Sequence, residues 1–75
     1  MSKRLPVLKG EDVVAILKKH GFKIMRQKGS HVFLENNEGY TTVMPVHKGK
    51  DLDRGLLRKI LNDCGISVDE FLESM

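Results

Sequence analysis

The segment RQKGSHVFLENNEGYTTVMPVHKGK, residues 26–50, decides the fold because it contains two strand-like runs and the turn between them. SHVFLE, residues 30–35, is a strand-like run that places Val32 and Leu34 on one face and His31 and Phe33 on the other. YTTVMP, residues 40–45, is rich in β-branched and aromatic residues and closes at a proline. FKIMRQ, residues 22–27, precedes both runs and alternates imperfectly. These three runs predict a three-stranded antiparallel meander.

Two turn signals separate the three runs. Lys28-Gly29 follows the first run and suits a tight hairpin. Asn-Asn-Glu-Gly, residues 36–39, follows the second run, and both Asn and Gly accept positive φ angles. The short spacings favour strands that pair with their neighbours in the chain.

Helical patterns flank the meander on both sides. GEDVVAILKKH, residues 10–20, has acids in its first turn, apolar residues at helical spacing and Gly21 as its end. RGLLRKILNDCG, residues 54–65, predicts a second helix whose apolar side includes Cys64, a small core residue. Ser67-x-x-Glu70 is a capping box and predicts a short third helix. The segment VHKGKDLD, before the second helix, is expected to be a loop.

The predicted order is α-β-β-β-α with a short extra C-terminal helix, an α+β fold of the double-stranded-RNA-binding type. Both long helices are expected on one face of the sheet. Val32 and Leu34 would point towards the helices, which leaves His31 and Phe33 on the free face. Met25 and Met44 are expected to pack within the strands.

Composition bounds the class of protein. A chain of 75 residues with 40% hydrophobic and 31% charged residues predicts one folded domain over residues 1–75. The longest apolar run, residues 13–17, is too short to cross a membrane. The N-terminal segment has no apolar region of the signal-peptide kind, so we expect an unprocessed, cytoplasmic protein with no membrane partner.

Metal and disulfide chemistry find little support in the sequence. Cys64 is the one cysteine, so no internal disulfide can form. His20, His31 and His47 lack the spacing of zinc ligands. No metal site and no cofactor are therefore expected.

Basic residues are segregated along the chain. The net charge is +3, yet residues 13–34 contain no acid at all. The cations in that segment are Lys18, Lys19, Lys23, Arg26 and Lys28. Such a surface attracts polyanions, usually nucleic acid, and a solvated lysine-rich face accounts for the charge equally well.

The chain resembles the HicA family of bacterial toxins over residues 8–72. The resemblance is carried by LKGEDVVAILKKHGF, RQKGSHVFL, MPVHKGKDLDRGLLRKILNDCGIS and DEFL, and most specifically by RQKGSH followed by PVHKGK. One departure is Leu56 in DLDRGLLRK, where related sequences often have Thr. That position concerns the start of the second helix.

The resemblance implies a small toxin that cleaves mRNA, arrests translation and is inhibited by a HicB-type antitoxin. It implies a double-stranded-RNA-binding-like fold, in agreement with the pattern of elements. In the family the catalytic residue is the histidine of a Gly-Ser/Thr-His motif. Gly29, Ser30 and His31 match that motif completely.

The residue types suit metal-free cleavage of RNA. Histidine can move a proton to or from the 2′-hydroxyl or the leaving oxygen near neutral pH, so His31 is the expected general base or acid. Cations stabilise the crowded phosphorane, and these are the candidate RNA-binding residues: Arg26, Lys28, Lys48 and Lys50, with Gly29 and Ser30 in the hairpin turn. His47 is either a second catalytic or phosphate-contact group, or an ordinary loop residue.

Other interpretations stay open at this point. The chain is alternatively a non-catalytic RNA-binding module, or a subunit that exists chiefly to bind a partner protein. Phe33 either stacks on a base or packs in the sheet, and Tyr40 can do either as well. His20 closes the first helix and is expected to stabilise its C-terminal end.

Overall fold

A computed structural model describes residues 4–75, so residues 1–3 of the N-terminal segment considered above lie outside the described part. The elements follow the order β1, α1, β2, β3, β4, β5, α2, α3. Their bounds are Leu8–Lys9, Gly10–Lys19, Lys23–Lys28, His31–Glu35, Thr41–Pro45, Asp51–Leu52, Arg54–Cys64 and Val68–Glu73. The predicted α-β-β-β-α order with a short C-terminal helix is confirmed. Within residues 4–75, no helix is long and apolar enough to cross a membrane.

Strands β2, β3 and β4 form the predicted antiparallel meander, in the order β2-β3-β4. Directly opposed residues form rows across the sheet, and side chains in one row share a face. His31 lies between Lys28 on β2 and Pro45 on β4. The next row on the same face places Phe33 between its two cross-strand neighbours, Arg26 and Val43.

The first hairpin turn lies one residue later than expected. Lys28 still pairs with His31, so the loop consists of Gly29 and Ser30 rather than Lys28 and Gly29. Gly29 has φ +59°, and Ser30 has no positive φ. A glycine at the first central position of a two-residue hairpin is typical of a type II′ turn, which matches the twist of the strands.

The two faces of the sheet differ as the alternation predicted. Val32, Leu34 and Met44 are buried against the helical layer, and α2 packs on β4. The core also contains Leu5, Val13, Val14, Ile16, Leu17, Phe22, Leu52, Leu57, Ile60, Leu61, Cys64 and Phe71. His31, Glu35, Thr41 and Val43 are exposed on the opposite face, which we call the free face.

Both long helices end in the same hydrogen-bonded motif. The Phe22 amide donates to the Leu17 carbonyl at 3.1 Å, and both side chains are buried. Ile66 and Leu61 repeat this bond at 3.0 Å at the end of α2. These are Schellman endings, and the apolar contact that accompanies them turns the chain back towards the core.

Two expectations are wrong. Residues 46–53 were predicted to be loop, yet Asp51–Leu52 pairs antiparallel with Leu8–Lys9 as a second, two-stranded sheet. Met25 was expected to pack in the sheet, yet its side chain is 61% exposed. A register shift between Ile24 and Arg26 makes Met25 a bulge without a cross-strand partner.

Candidate functional site

His31 opens β3 on the free face, directly after the hairpin turn. Its side chain is exposed, whereas the next residue, Val32, is buried. Lys28 is its cross-strand partner and shares the free face. Opposed residues in such a pair have Cβ atoms roughly 4.5–5.5 Å apart, so an ammonium lies within reach of any phosphate held at the imidazole.

His47 lies at the same end of the sheet. The Val46 amide donates to the Ser30 carbonyl at 2.7 Å, so the chain leaving β4 continues beside the hairpin turn. His47 follows, and the Lys50 amide closes a turn onto the His47 carbonyl at 2.9 Å. Lys48 is exposed within that turn. The structure therefore brings the GSH and HKGK motifs together, although they are separated by more than a full strand in sequence.

The first turn of α1 fixes the position of this second motif. A Cβ atom on Gly10 would lie 3.0 Å from the Pro45 carbonyl oxygen and 3.3 Å from Val46 Cα. The helix can approach the chain so closely because residue 10 has no side chain. This contact escaped the sequence interpretation, in which Gly10 served only as the start of a helix.

Arg26 does not extend freely into solvent. Its guanidinium carbon lies 4.5 Å from the centre of the Phe33 ring, a cation–π contact. Phe33 is half-buried, and Val43 on its other side is 39% exposed. Arg26, which was predicted to contact phosphate, thus forms a cation–π pair with Phe33 in the row next to that of His31.

A groove of about 480 Å³ opens on the β4 side of Phe33. Its lining comprises Phe33, Glu35, Thr41 and Val43 from the free face, and Leu34, Thr42 and Asp63 from the side on which α2 packs. Asp63 accepts hydrogen bonds from Thr42 Oγ1 at 3.3 Å and from Lys59 Nζ at 3.2 Å. The groove therefore combines an apolar floor with carboxylate groups.

The family model for the HicA toxin of bacterial toxin–antitoxin systems matches residues 10–66 of this chain. The chain belongs to the HicA toxin family. No curated protein matches the chain. As a HicA toxin it has a cognate antitoxin as its partner. The matched span contains the whole meander, both long helices and every site residue predicted above, whereas α3 and β1 lie outside it.

The third histidine of this HicA toxin lies away from the site. His20 follows the last turn of α1, and its Nε2 atom forms a 2.5 Å hydrogen bond with Ser74 Oγ. Lys19 Nζ donates to the Ser74 carbonyl at 3.4 Å. His20 therefore ties the end of α1 to the end of α3, a contact that helical spacing alone did not reveal.

Two groups outside the site have perturbed acidities. Burial, together with the charge of Asp63, raises the pKa of the Cys64 thiol to about 11. Hydrogen bonds from Ser67, first from its backbone amide, lower the pKa of the Glu70 carboxyl. Within residues 4–75, no three His, Cys, Asp or Glu side chains are grouped so that they could hold a metal ion.

Proposed function

We propose that this HicA toxin is a metal-independent endoribonuclease that cleaves mRNA in the cytoplasm and thereby blocks translation. The observation that carries the proposal is His31, exposed on the free face beside Lys28 and next to the HKGK turn. An exposed histidine and the lysines of two motifs thus lie at the same end of the sheet, which supports this proposal. Metal-free cleavage of RNA needs that combination.

The reaction is a transesterification within the RNA strand. A base takes the proton from a 2′-hydroxyl, and that oxygen attacks the adjacent phosphorus. The bond from phosphorus to the 5′-oxygen breaks, and an acid gives that oxygen a proton. The products are a 2′,3′-cyclic phosphate and a 5′-hydroxyl end, and DNA is spared because it has no 2′-hydroxyl.

His31 carries one of the two proton transfers, and its neighbours hold the phosphate. Lys28, from the same row, and Lys48 and Lys50, from the turn, stabilise the charge that develops on the phosphorane. His47 supplies the second proton transfer or a phosphate contact. Gly29 and Ser30 offer their backbone at the tight turn, where the phosphate can approach closely.

The cognate antitoxin is proposed to be a HicB-type protein. Charge complementarity argues that it presents an acidic surface to the basic free face. Lys23, Arg26 and Lys28 make β2 a wholly exposed cationic strand. Covering this strand would exclude RNA from His31 without any change in the fold.

The deciding experiment is a cleavage assay with a defined single-stranded RNA in excess EDTA. We expect the unmodified protein to yield discrete fragments with cyclic-phosphate ends. His31→Ala should lower the rate by at least about 10²-fold, the lower end of what a general acid or base contributes. Affinity for RNA should be retained by His31→Ala.

His20→Gln is the matched control, since His20 is bonded to Ser74 and not to the site. It should cleave at the parent rate, and a DNA strand of the same sequence should stay intact. His47→Ala tests the second role and should reduce the rate without abolishing binding. RNA binding with no cleavage by any of these proteins would instead favour a non-catalytic RNA-binding module.

A further inference from the structure

The row Arg26–Phe33–Val43 lies beside the row of His31 on the free face. Residues two apart on one strand face the same way and are roughly 6.5 Å apart along it. Phe33 is thus two residues from His31 on β3. Arg26 is likewise two residues from Lys28 on β2. A strand of RNA that is held at His31 and runs along β3 crosses this neighbouring row.

The chemistry of the row suits a flat, apolar ligand. The Arg26 guanidinium covers the Phe33 ring from the β2 side, at 4.5 Å from its centre. On the β4 side the ring adjoins the 480 Å³ groove, whose size falls in the range of about 300–1,000 Å³ that is usual for small-molecule sites. Aromatic rings and guanidinium planes are the surfaces on which proteins stack unpaired bases.

Charge sets the direction in which the nucleotide would lie. The strand β2 carries Lys23, Arg26 and Lys28 and has no acid, so it attracts the phosphates. The groove contains the Glu35 carboxylate, which repels phosphate and accepts hydrogen bonds from amino groups, whereas the Asp63 carboxylate is already paired with Lys59 at 3.2 Å. The backbone is therefore favoured over β2, with its base directed towards β4.

We propose that the row Arg26–Phe33–Val43 and the adjoining groove bind one unpaired base of the RNA next to the scissile phosphate. This inference rests on the proposed ribonuclease function and adds a subsite for one base beside the residues that move protons. Glu35 favours a base that bears an exocyclic amino group, so adenine, cytosine and guanine are preferred over uracil. Phe33 is a positioning and specificity residue, distinct from the residues that move protons.

Binding measurements in the His31→Ala background separate this site from catalysis. Fluorescence anisotropy with labelled 12-nucleotide oligo(A), oligo(C) and oligo(U) gives the dissociation constants. We expect Phe33→Leu to weaken oligo(A) binding at least about fivefold, the lower end of what one base–aromatic stack contributes. Phe33→Tyr retains the ring and should bind like its parent, and Val7→Ala removes an exposed apolar side chain elsewhere as the matched control.

A spectroscopic readout reports stacking itself. A 2-aminopurine base placed along the oligonucleotide should be quenched by the His31→Ala parent and by Phe33→Tyr, and less so by Phe33→Leu. Glu35→Gln should narrow the difference in affinity between oligo(A) and oligo(U). A duplex of the same length hides its bases, so its binding should be the same with Phe33 or Leu at that position.

The outcomes distinguish the inference from the function beneath it. Equal affinity of the Phe33→Leu protein and its parent for single-stranded RNA would overturn the base site and leave the ribonuclease proposal standing. No RNA binding by the His31→Ala parent would overturn both. Unchanged RNA binding with a weakened antitoxin complex would make this row a protein-docking surface, which also overturns the inference.

Discussion

His31 and Val32 are adjacent in the chain and face opposite sides of the sheet. The imidazole is exposed, and the valine is buried against the helices. A slip of one residue in the pairing of β3 would exchange the two, placing a histidine in the core. The hairpin turn at Gly29 and Ser30 sets this pairing, so the residues next to His31 in the motif determine the face on which it lies.

Cys64 should be chemically inert in the folded protein. Its pKa is raised to about 11, so the thiol is protonated at pH 8 and lies within the core. We expect slow modification by Ellman's reagent at pH 8 and rapid modification in urea. Modification of the native protein at the rate of a free thiol would contradict the burial described here.

The same thiol makes stability depend on alkaline pH. Because the pKa of Cys64 is raised in the folded state, the thiol contributes fully to the free energy of unfolding below the ordinary thiol pKa of about 8.5. This contribution is lost as the pH rises towards about 11. Cys64→Ala should lose less stability than the parent protein between these values. Urea denaturation at a series of pH values checks this, and parallel losses in both proteins would contradict it.

Gly65 is required both by its backbone angle and by the ring of Tyr40. It has φ +69°, and a Cβ atom there would lie 2.0 Å from Tyr40 Cε2. Gly65→Ala should lower the free energy of unfolding by more than the ~1–2 kcal/mol that the left-handed conformation costs a residue with a Cβ atom. Gly21→Ala is the control, because its Cβ would meet nothing within 4 Å; equal losses would show that the Tyr40 contact has no energetic effect.

At the scale of residues, alternation predicted the faces of β3 and left the partners of single side chains open. Met44 packs as expected, whereas Met25 does not, because a bulge changes its direction without any signal in the residue types. The contact of Arg26 with Phe33 depends on cross-strand register. The hairpin turn at Gly29 and Ser30 sets this register, and the sequence interpretation placed that turn one residue too early.

The short helix α3 depends on its first residues and on its contact with α1. Ser67 Oγ accepts from the Glu70 amide at 3.0 Å, and Glu70 Oε1 accepts from the Ser67 amide at 3.1 Å. Phe71 anchors the helix in the core, and Ser74 bonds to His20. A helix of six residues has little stability of its own, so these contacts determine whether it forms.

Removing the capping box should destabilise the protein measurably. Ser67→Ala is expected to cost about 1 kcal/mol, which lowers the Tm by roughly 4–8 °C in a chain of this size. Thermal unfolding followed by circular dichroism measures it. Asn62→Ala, an exposed change within α2, serves as the control and should leave the Tm nearly unchanged.

The capping box also predicts an acid dependence. The pKa of Glu70 is lowered by its bonds from Ser67, so this contribution is present above the ordinary Glu pKa and is lost as pH falls through the lowered value. The Tm difference between the parent and Glu70→Gln, which can keep the bond from the Ser67 amide but carries no charge, should therefore shrink in acid. A difference that is constant from pH 7 to pH 3 would show that the charge of Glu70 adds nothing to the stability of the capping box.

At the scale of elements, the long periodic segments were predictable and the two-residue strands were not. Three central strands and three helices follow from alternation, helical spacing and caps. The pairing of Leu8–Lys9 with Asp51–Leu52 has no periodicity to detect, since two residues define no pattern. The tertiary arrangement alone brings these segments together, and it also holds the HKGK turn next to His31.

For the molecule as a whole, the separation of charge matters more than its net value of +3. Lys28 and the lysines of the HKGK turn lie at the His31 end of the sheet, whereas Lys23 lies at its other end, opposite Glu35 of the groove. Composition predicted an attraction for polyanions but could not place it. In the fold, Lys28 and the HKGK turn lie beside His31 and the hairpin turn that precedes it.

The salt dependence of RNA binding should report how many of these cations contact phosphate. In the His31→Ala background, Lys48→Gln with Lys50→Gln should reduce the slope of log K against log salt by about 1.4, since each phosphate contact to a single strand contributes about 0.7. Lys18→Gln with Arg58→Gln removes equal charge from the helices. A change of slope as large in that control would show that the attraction is not localised.

The exposed strand β2 has a consequence for self-association. Within residues 4–75 no strand pairs with its outer edge, and Ile24 and Met25 add exposed apolar surface there. An open edge of this kind can recruit the edge of another copy, and charged side chains and bulges are the usual safeguards. Lys23, Arg26, Lys28 and the bulge at Met25 supply both. The side chains proposed to attract RNA therefore also disfavour edge-to-edge pairing between copies of the toxin.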